Sequence, residues 1–197
     1  MERLVSILLF EGIELLDFSG PFEVFSACNK SRGKELFSIN TVADSKLPLK
    51  TANGLKVMAD FDFLDCPQPD ILVVPGGQGA RKAMQHSATL DFVASTTEKA
   101  EFCLSICTGA LILACAGLLE NQKATTFHGA FDLLASVAPR TRLLPGVRFV
   151  DNGRIITSAG IAAGMDATLY LIGKILDHKA AREAAEYMEY PWQPQRP

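Results

Sequence analysis

The chain has 197 residues, 48% of them hydrophobic, and a formal net charge of −3. That length carries one α/β domain with a sizeable core, and that charge offers no basic field for nucleic acid or anionic lipid. No Ser/Gly/Pro-rich linker interrupts the chain, so residues 1–197 read as a single domain.

The opening MERLVSILLF has Glu2 where a secretory leader needs positive charge, and no small-residue cleavage site follows. Its apolar run, 4–10, reads as a first buried strand. EGIELLDFSGP comes next and carries Glu14 and Asp17. Pro21 is expected at the first helical position of GPFEVFSACNK, with Glu23 in the first turn. FSINTVA (37–43) is a second strand. Asn53-Gly54 inside LPLKTANGLKVMADF signals a hairpin. DILVVP (70–75) is another strand and leads into PGGQG. Helical patterns fill 79–100.

FCLSI (102–106) is the next strand and runs straight into Cys107. GALILACAGLL follows; it is apolar on all sides, as a buried helix is, and too short to span a bilayer. Asp151-Asn152-Gly153 marks a second hairpin before RIITSA (154–159). In IAAGMDATLYLIGKILDH, Ile161, Met165, Leu169, Ile172 and Leu176 share one helical face. REAAEYMEY reads as a last surface helix stopped by Pro191.

The strand runs are apolar throughout rather than alternating, which suits strands buried on both faces of a parallel sheet. Their alternation with helices predicts an α/β fold: a flavodoxin-like, doubly wound, mostly parallel sheet with helices on both faces and edge hairpins. Five cysteines, irregularly spaced and without a C-x-x-C pair, make neither a disulfide framework nor a zinc motif. His86, His128 and His178 are scattered. No metal and no cofactor is expected, and the chain is expected to be soluble, cytoplasmic and free of nucleic acid and membrane.

Ligands of open α/β sheets bind beyond the carboxyl ends of the strands. Three features fall there: Glu14 and Asp17 after the first strand, PGGQG after 70–75, and Cys107 after 102–106. A cysteine at a strand-to-helix turn has its sulfur near free N–H groups that favour thiolate. Ser105-x-Cys107-x-Gly109 is a relaxed nucleophile elbow. Gly76 and Gly77 are expected to turn backbone N–H groups toward a developing negative charge. A carboxyl buried beside a thiolate stays protonated and passes a proton. Each feature also has a plainer reading. Cys28, Cys66, Cys103 and Cys115 are small apolar filler, and Cys107 on spacing alone is either filler or nucleophile. PGG is also an ordinary tight turn, Asp17 a cap, Glu14 a solvated acid, and His128 a polar residue opening a helix.

Taken together, LLDFSGPFEVF, DILVVPGGQGA, SICTGALILACAGLL, KATTFHGAFDLL and VDNGRIITSAGIAAGMDATLYLI resemble the ThiJ/PfpI superfamily over almost the whole chain. Within it the chain looks most like the isocyanide (isonitrile) hydratases and the amidase-like sensor domains of AraC-type regulators. The resemblance implies a flavodoxin-like core, a homodimer and a small-molecule substrate. It places the nucleophile at Cys107, a functional threonine at Thr108, the acidic partner at Asp17 and a backbone amide near Gly77 that faces the reacting atom. Phe18, Ile106, Phe127 and His128 are expected from sequence position to line the substrate pocket. The subgroup commonly shows His-Trp after ATT; here Phe127 and His128 stand there instead. Branches that lean on a histidine near the cysteine therefore fit less well than isocyanide hydration, which relies on Cys107, Asp17 and Thr108. Two other readings remain: a ligand- or redox-sensing module, and a glyoxalase or deglycase. The regulators carry a C-terminal helix-turn-helix, for which the stretch ending YPWQPQRP leaves no room.

Overall fold

The computed structural model describes residues 2–194. Strands β1 (Arg3–Leu8), β2 (Phe37–Ala43), β3 (Leu49–Lys50), β4 (Lys56–Val57), β5 (Phe61–Asp62) and β6 (Ile71–Val74) fill the first part of the chain. They are followed by β7 (Phe102–Ser105), β8 (Lys123–Ala124), β9 (Arg142–Leu143), β10 (Phe149–Asp151) and β11 (Ile155–Ser158). The helices are α1 (Leu15–Arg32), α2 (Ala80–Ala83), α3 (Ser87–Lys99), α4 (Gly109–Cys115), α5 (Phe131–Val137), α6 (Ala163–Ile175) and α7 (His178–Tyr187).

The described residues form one seven-stranded sheet in the order β10-β11-β7-β6-β1-β2-β5. Every pairing in it is parallel except β10 with β11. The expected α/β sandwich is therefore the observed one. The strands are apolar throughout because both faces are covered. On β6, Ile71 and Val73 pack with residues of α1, α6 and α7, while Leu72 and Val74 pack with α4 on the other side. Both hairpins form where the turn signals placed them: β3 with β4 around Asn53-Gly54, and β10 with β11 around Asn152-Gly153.

One boundary differs. Helix α1 begins at Leu15, six residues before Pro21, and Pro21 lies inside it. Proline lacks the N–H that would bond the carbonyl of Asp17 one turn back, and the helix continues because its inner face, including Val24, Phe25 and Cys28, is buried. The shift matters because it puts Asp17 in the first turn of α1. The register of β6 with β7 matters equally. Val74 lies opposite Ser105, so Gly76 and Cys107, each two residues further on, leave the sheet side by side. No helix among the described residues is long and apolar enough to cross a membrane.

Candidate active site

Cys107 occupies the single sharp step between β7 and α4. Its φ is 56°, a left-handed value that costs a side-chain-bearing residue roughly 1–3 kcal/mol. The surroundings hold it there. Its N–H donates to the Ala159 carbonyl at 3.2 Å, and its carbonyl accepts from the Thr126 hydroxyl at 2.8 Å. Gly109 makes the step possible: a Cβ at that position would lie 2.0 Å from the Val74 carbonyl oxygen. Residue 109 therefore needs to be glycine for α4 to start this close behind β6.

Asp17 reaches the elbow from the first turn of α1 and is 0% exposed. Its Oδ2 accepts the Gly76 N–H at 3.0 Å, and its Oδ1 is buried without a hydrogen-bond partner. Burial pushes this carboxyl up to about 7, against smaller opposing pulls from the Gly76 amide and the Cys107 thiol. Cys107 is 5% exposed. Burial first, and the Asp17 charge second, push its thiol up to about 12, while the backbone amides of Thr108 and Ile161 pull the other way. The acidic resting thiol expected from the helix start is thus not what the site holds, because desolvation and a neighbouring carboxylate outweigh two amides. The two groups titrate as a pair. Below about pH 7 the pair carries two protons; above it the carboxyl is ionised and one proton remains, on the thiol.

The glycine turn plays a different part from the one expected. The Gly76 N–H is engaged by Asp17, and the Gly77 N–H donates to Thr108 Oγ1 at 2.9 Å. The Thr108 hydroxyl donates in turn to the Gly77 carbonyl at 3.0 Å. Neither glycine amide is free to face a reacting atom; the amides that reach the sulfur belong to Thr108 and Ile161. Glycine is needed at 76 for room, since a Cβ there would sit 2.4 Å from the Thr108 nitrogen.

A cavity of about 250 Å³ opens over the thiol, lined by Glu14, Gly77, Gln78, Arg81, Cys107, Thr108, Phe127 and Ile161. Phe127 is where the substrate-lining expectation put it. Phe18 and Ile106 are not. Phe18 lines a separate groove with Phe22 and Met58, and Ile106 is wholly buried against Gly164 of α6. His128 stands outside the thiol cavity, its ring centroid 4.1 Å from that of Phe127. Glu14 is half-buried on the cavity wall rather than solvated. The sequence reading missed Gln78, Arg81 and Ile161. Ile161 carries a signal only in the backbone: a φ of 48° at a β-branched residue. Among the described residues, no group of three or more His, Cys, Asp or Glu side chains is placed to hold a metal ion.

A flavodoxin-like sheet with a buried cysteine on a strained strand-to-helix turn, and a carboxyl from the first helix against it, defines a class of thiol-centred α/β proteins. The chain belongs to the DJ-1/PfpI family, whose model matches residues 3–174. It is 33% identical over 187 residues to an isonitrile hydratase of Pseudomonas putida, a match covering 94% of this chain and 78% of that protein. It is 25% identical over 170 residues to the HTH-type transcriptional regulator GbdR of Pseudomonas aeruginosa, covering 86% of this chain but only 46% of the regulator. The structure of a THiJ/PfpI family protein from Pseudomonas syringae superposes with a TM-score of 0.88 at 30% identity, covering 100% of this chain and 78% of that one.

Proposed function

We propose that the protein is a cysteine-dependent hydratase that converts isocyanides to N-substituted formamides, with Cys107 as nucleophile and Asp17 as proton carrier. The observation that carries this reading is the Asp17 carboxyl buried against the Cys107 thiol and raised toward neutrality. The 33% identity to an isonitrile hydratase supports it.

In the working form the thiol has passed its proton to Asp17, and the charge on sulfur is held by the Thr108 and Ile161 amides. The sulfur lone pair attacks the terminal carbon of R–NC, and that carbon takes the Asp17 proton. The product is the thioimidate R–N=CH–S–Cys107 beside a carboxylate. Water then adds to the carbon. The Asp17 carboxylate takes one of its protons and the nitrogen takes the other. Collapse of the resulting adduct expels Cys107 as thiolate, leaves R–NH–CHO and returns the pair to its starting protonation. General acid–base transfer of this kind contributes roughly 10²–10⁴-fold. Thr108 acts by fixing the Gly77 turn that forms one wall. The same reading takes the working protein to be a homodimer acting on a small molecule.

Glyoxalase-like chemistry is less well supported, since among the described residues no histidine lines the thiol cavity. Purified protein incubated separately with cyclohexyl isocyanide and with methylglyoxal is expected to yield N-cyclohexylformamide and no lactate. Lactate without formamide would reverse the assignment.

A further inference from the structure

A second cavity, about 470 Å³, adjoins the thiol cavity and shares two of its walls, Phe127 and Ile161. Its remaining apolar lining includes Phe131, Val147 and Ala162. The shared wall is set rigidly. A Cβ at Gly160 would lie 2.6 Å from the Phe127 ring, and one at Gly129 would lie 3.1 Å from it. The ring is therefore packed onto two bare stretches of backbone, with the His128 ring against it. The cationic group in this second cavity is already spent: Arg148 donates to Asp166 on α6. The Thr126 hydroxyl is likewise committed to the Cys107 carbonyl, and Thr125 is fully buried.

We infer that this second cavity is the seat of the group attached to the reacting carbon or nitrogen of the ligand, and that it selects uncharged, apolar substituents of cyclohexyl or aryl size. Two features point this way. The thiol cavity is small and has Glu14, Gln78 and Arg81 on its other walls, so the bulk of an apolar ligand has its favourable exit past Phe127 and Ile161. The space beyond them is apolar, with its one full charge neutralised, as suits a group that brings no hydrogen bonds. The inference rests on the hydratase reading for the identity of the reacting group, but the groove itself serves any electrophile that reaches Cys107.

The test uses electrophiles that differ only in the attached group. Cys107 alkylation by N-cyclohexyl iodoacetamide is compared with alkylation by iodoacetamide, each normalised to its rate with glutathione. The normalised ratio is expected to favour the cyclohexyl reagent by about tenfold, the scale of partly burying such a ring. Val147, 38% exposed on the groove, is the position to change. Val147→Glu is expected to erase the preference, and Val147→Ile is expected to retain it. A ratio near one in the unmutated protein, or a preference that survives Val147→Glu, would overturn the inference. Running cyclohexyl and methyl isocyanide in parallel separates the two ideas. A Val147-dependent alkylation preference without formamide from either substrate keeps the groove and removes the hydratase; formamide formed equally well from both, with no alkylation preference, does the reverse.

Discussion

Thr108 and Gly77 clasp each other through one hydroxyl: the Gly77 N–H donates to the Thr108 hydroxyl at 2.9 Å, and that hydroxyl donates to the Gly77 carbonyl at 3.0 Å. One side chain thereby ties the turn after β6 to the residue after Cys107. Thr108→Val keeps the shape and removes both bonds. It is expected to cost about 1–3 kcal/mol, the usual penalty for stranding buried partners, and to slow formamide formation. Thr108→Ser keeps the hydroxyl and is expected to retain most of both. Urea denaturation and initial rates on the two variants make the comparison.

The buried Asp17 carboxyl predicts a pH-dependent stability whose sign is unusual for an acid. Its folded value of about 7 lies above the ordinary 3.8, so the folded state holds the proton more tightly than the unfolded one. The contribution is fully present below about pH 3.8 and is lost as pH rises through 7, a swing on the order of 4 kcal/mol. Asn at position 17 does not titrate. The stability of Asp17→Asn relative to the unmutated protein is therefore expected to improve from pH 4 to pH 8 in denaturation curves. A difference that is flat over that range contradicts the buried, raised carboxyl.

The same ionisation predicts the rate profile. The working pair carries one proton, a form that appears as pH rises through about 7. The hydration rate at limiting substrate is expected to climb across that region and then level, while the Asp17-linked stability falls over the pH range just below it. A rate that declines from pH 6 to 8 would show that the doubly protonated pair does the work instead.

Much of the fold was legible because its strands are buried on both faces, which leaves uninterrupted apolar runs. Both hairpins were legible from their Asn-Gly turns. The two-residue strands β5, β8 and β9 were not, since they are held by neighbours rather than by any local pattern. At the site, Cys107, Asp17 and Phe127 could be placed from their positions at element ends. Phe18 was misplaced because α1 starts at Leu15: consecutive helical residues point about 100° apart, so Phe18 turns away from the cavity when Asp17 turns toward the thiol. Ile106 follows β7 and is wholly buried under α6, against Gly164, and so does not reach the cavity. The Ile161 amide left no trace in the residue types, because a backbone donor reaches the sulfur only through the path of the turn between β11 and α6.

Gly109 offers a steric test of the elbow. With the Val74 carbonyl oxygen 2.0 Å from where a Cβ would stand, Gly109→Ala must push α4 away from β6. Overpacking of this kind costs about 1–3 kcal/mol or more. Gly33→Ala serves as the control: its φ of 58° is left-handed, which Gly109 does not share, but nothing lies within 4 Å of the added carbon. The Gly109 variant is expected to melt well below the Gly33 variant and to lose formamide formation.

The central claim is that the Asp17 carboxyl delivers the proton that isocyanide hydration requires at Cys107. Asn keeps the shape of Asp17 and can still accept the Gly76 N–H that Asp17 now takes at 3.0 Å, but it cannot transfer a proton. The most direct measurement is the rate of N-cyclohexylformamide formation from cyclohexyl isocyanide by the unmutated protein and by Asp17→Asn at pH 8. The account predicts turnover in the first and a loss of roughly a hundredfold or more in the second. Near-normal turnover in the Asn variant, or none in the unmutated protein, would contradict it.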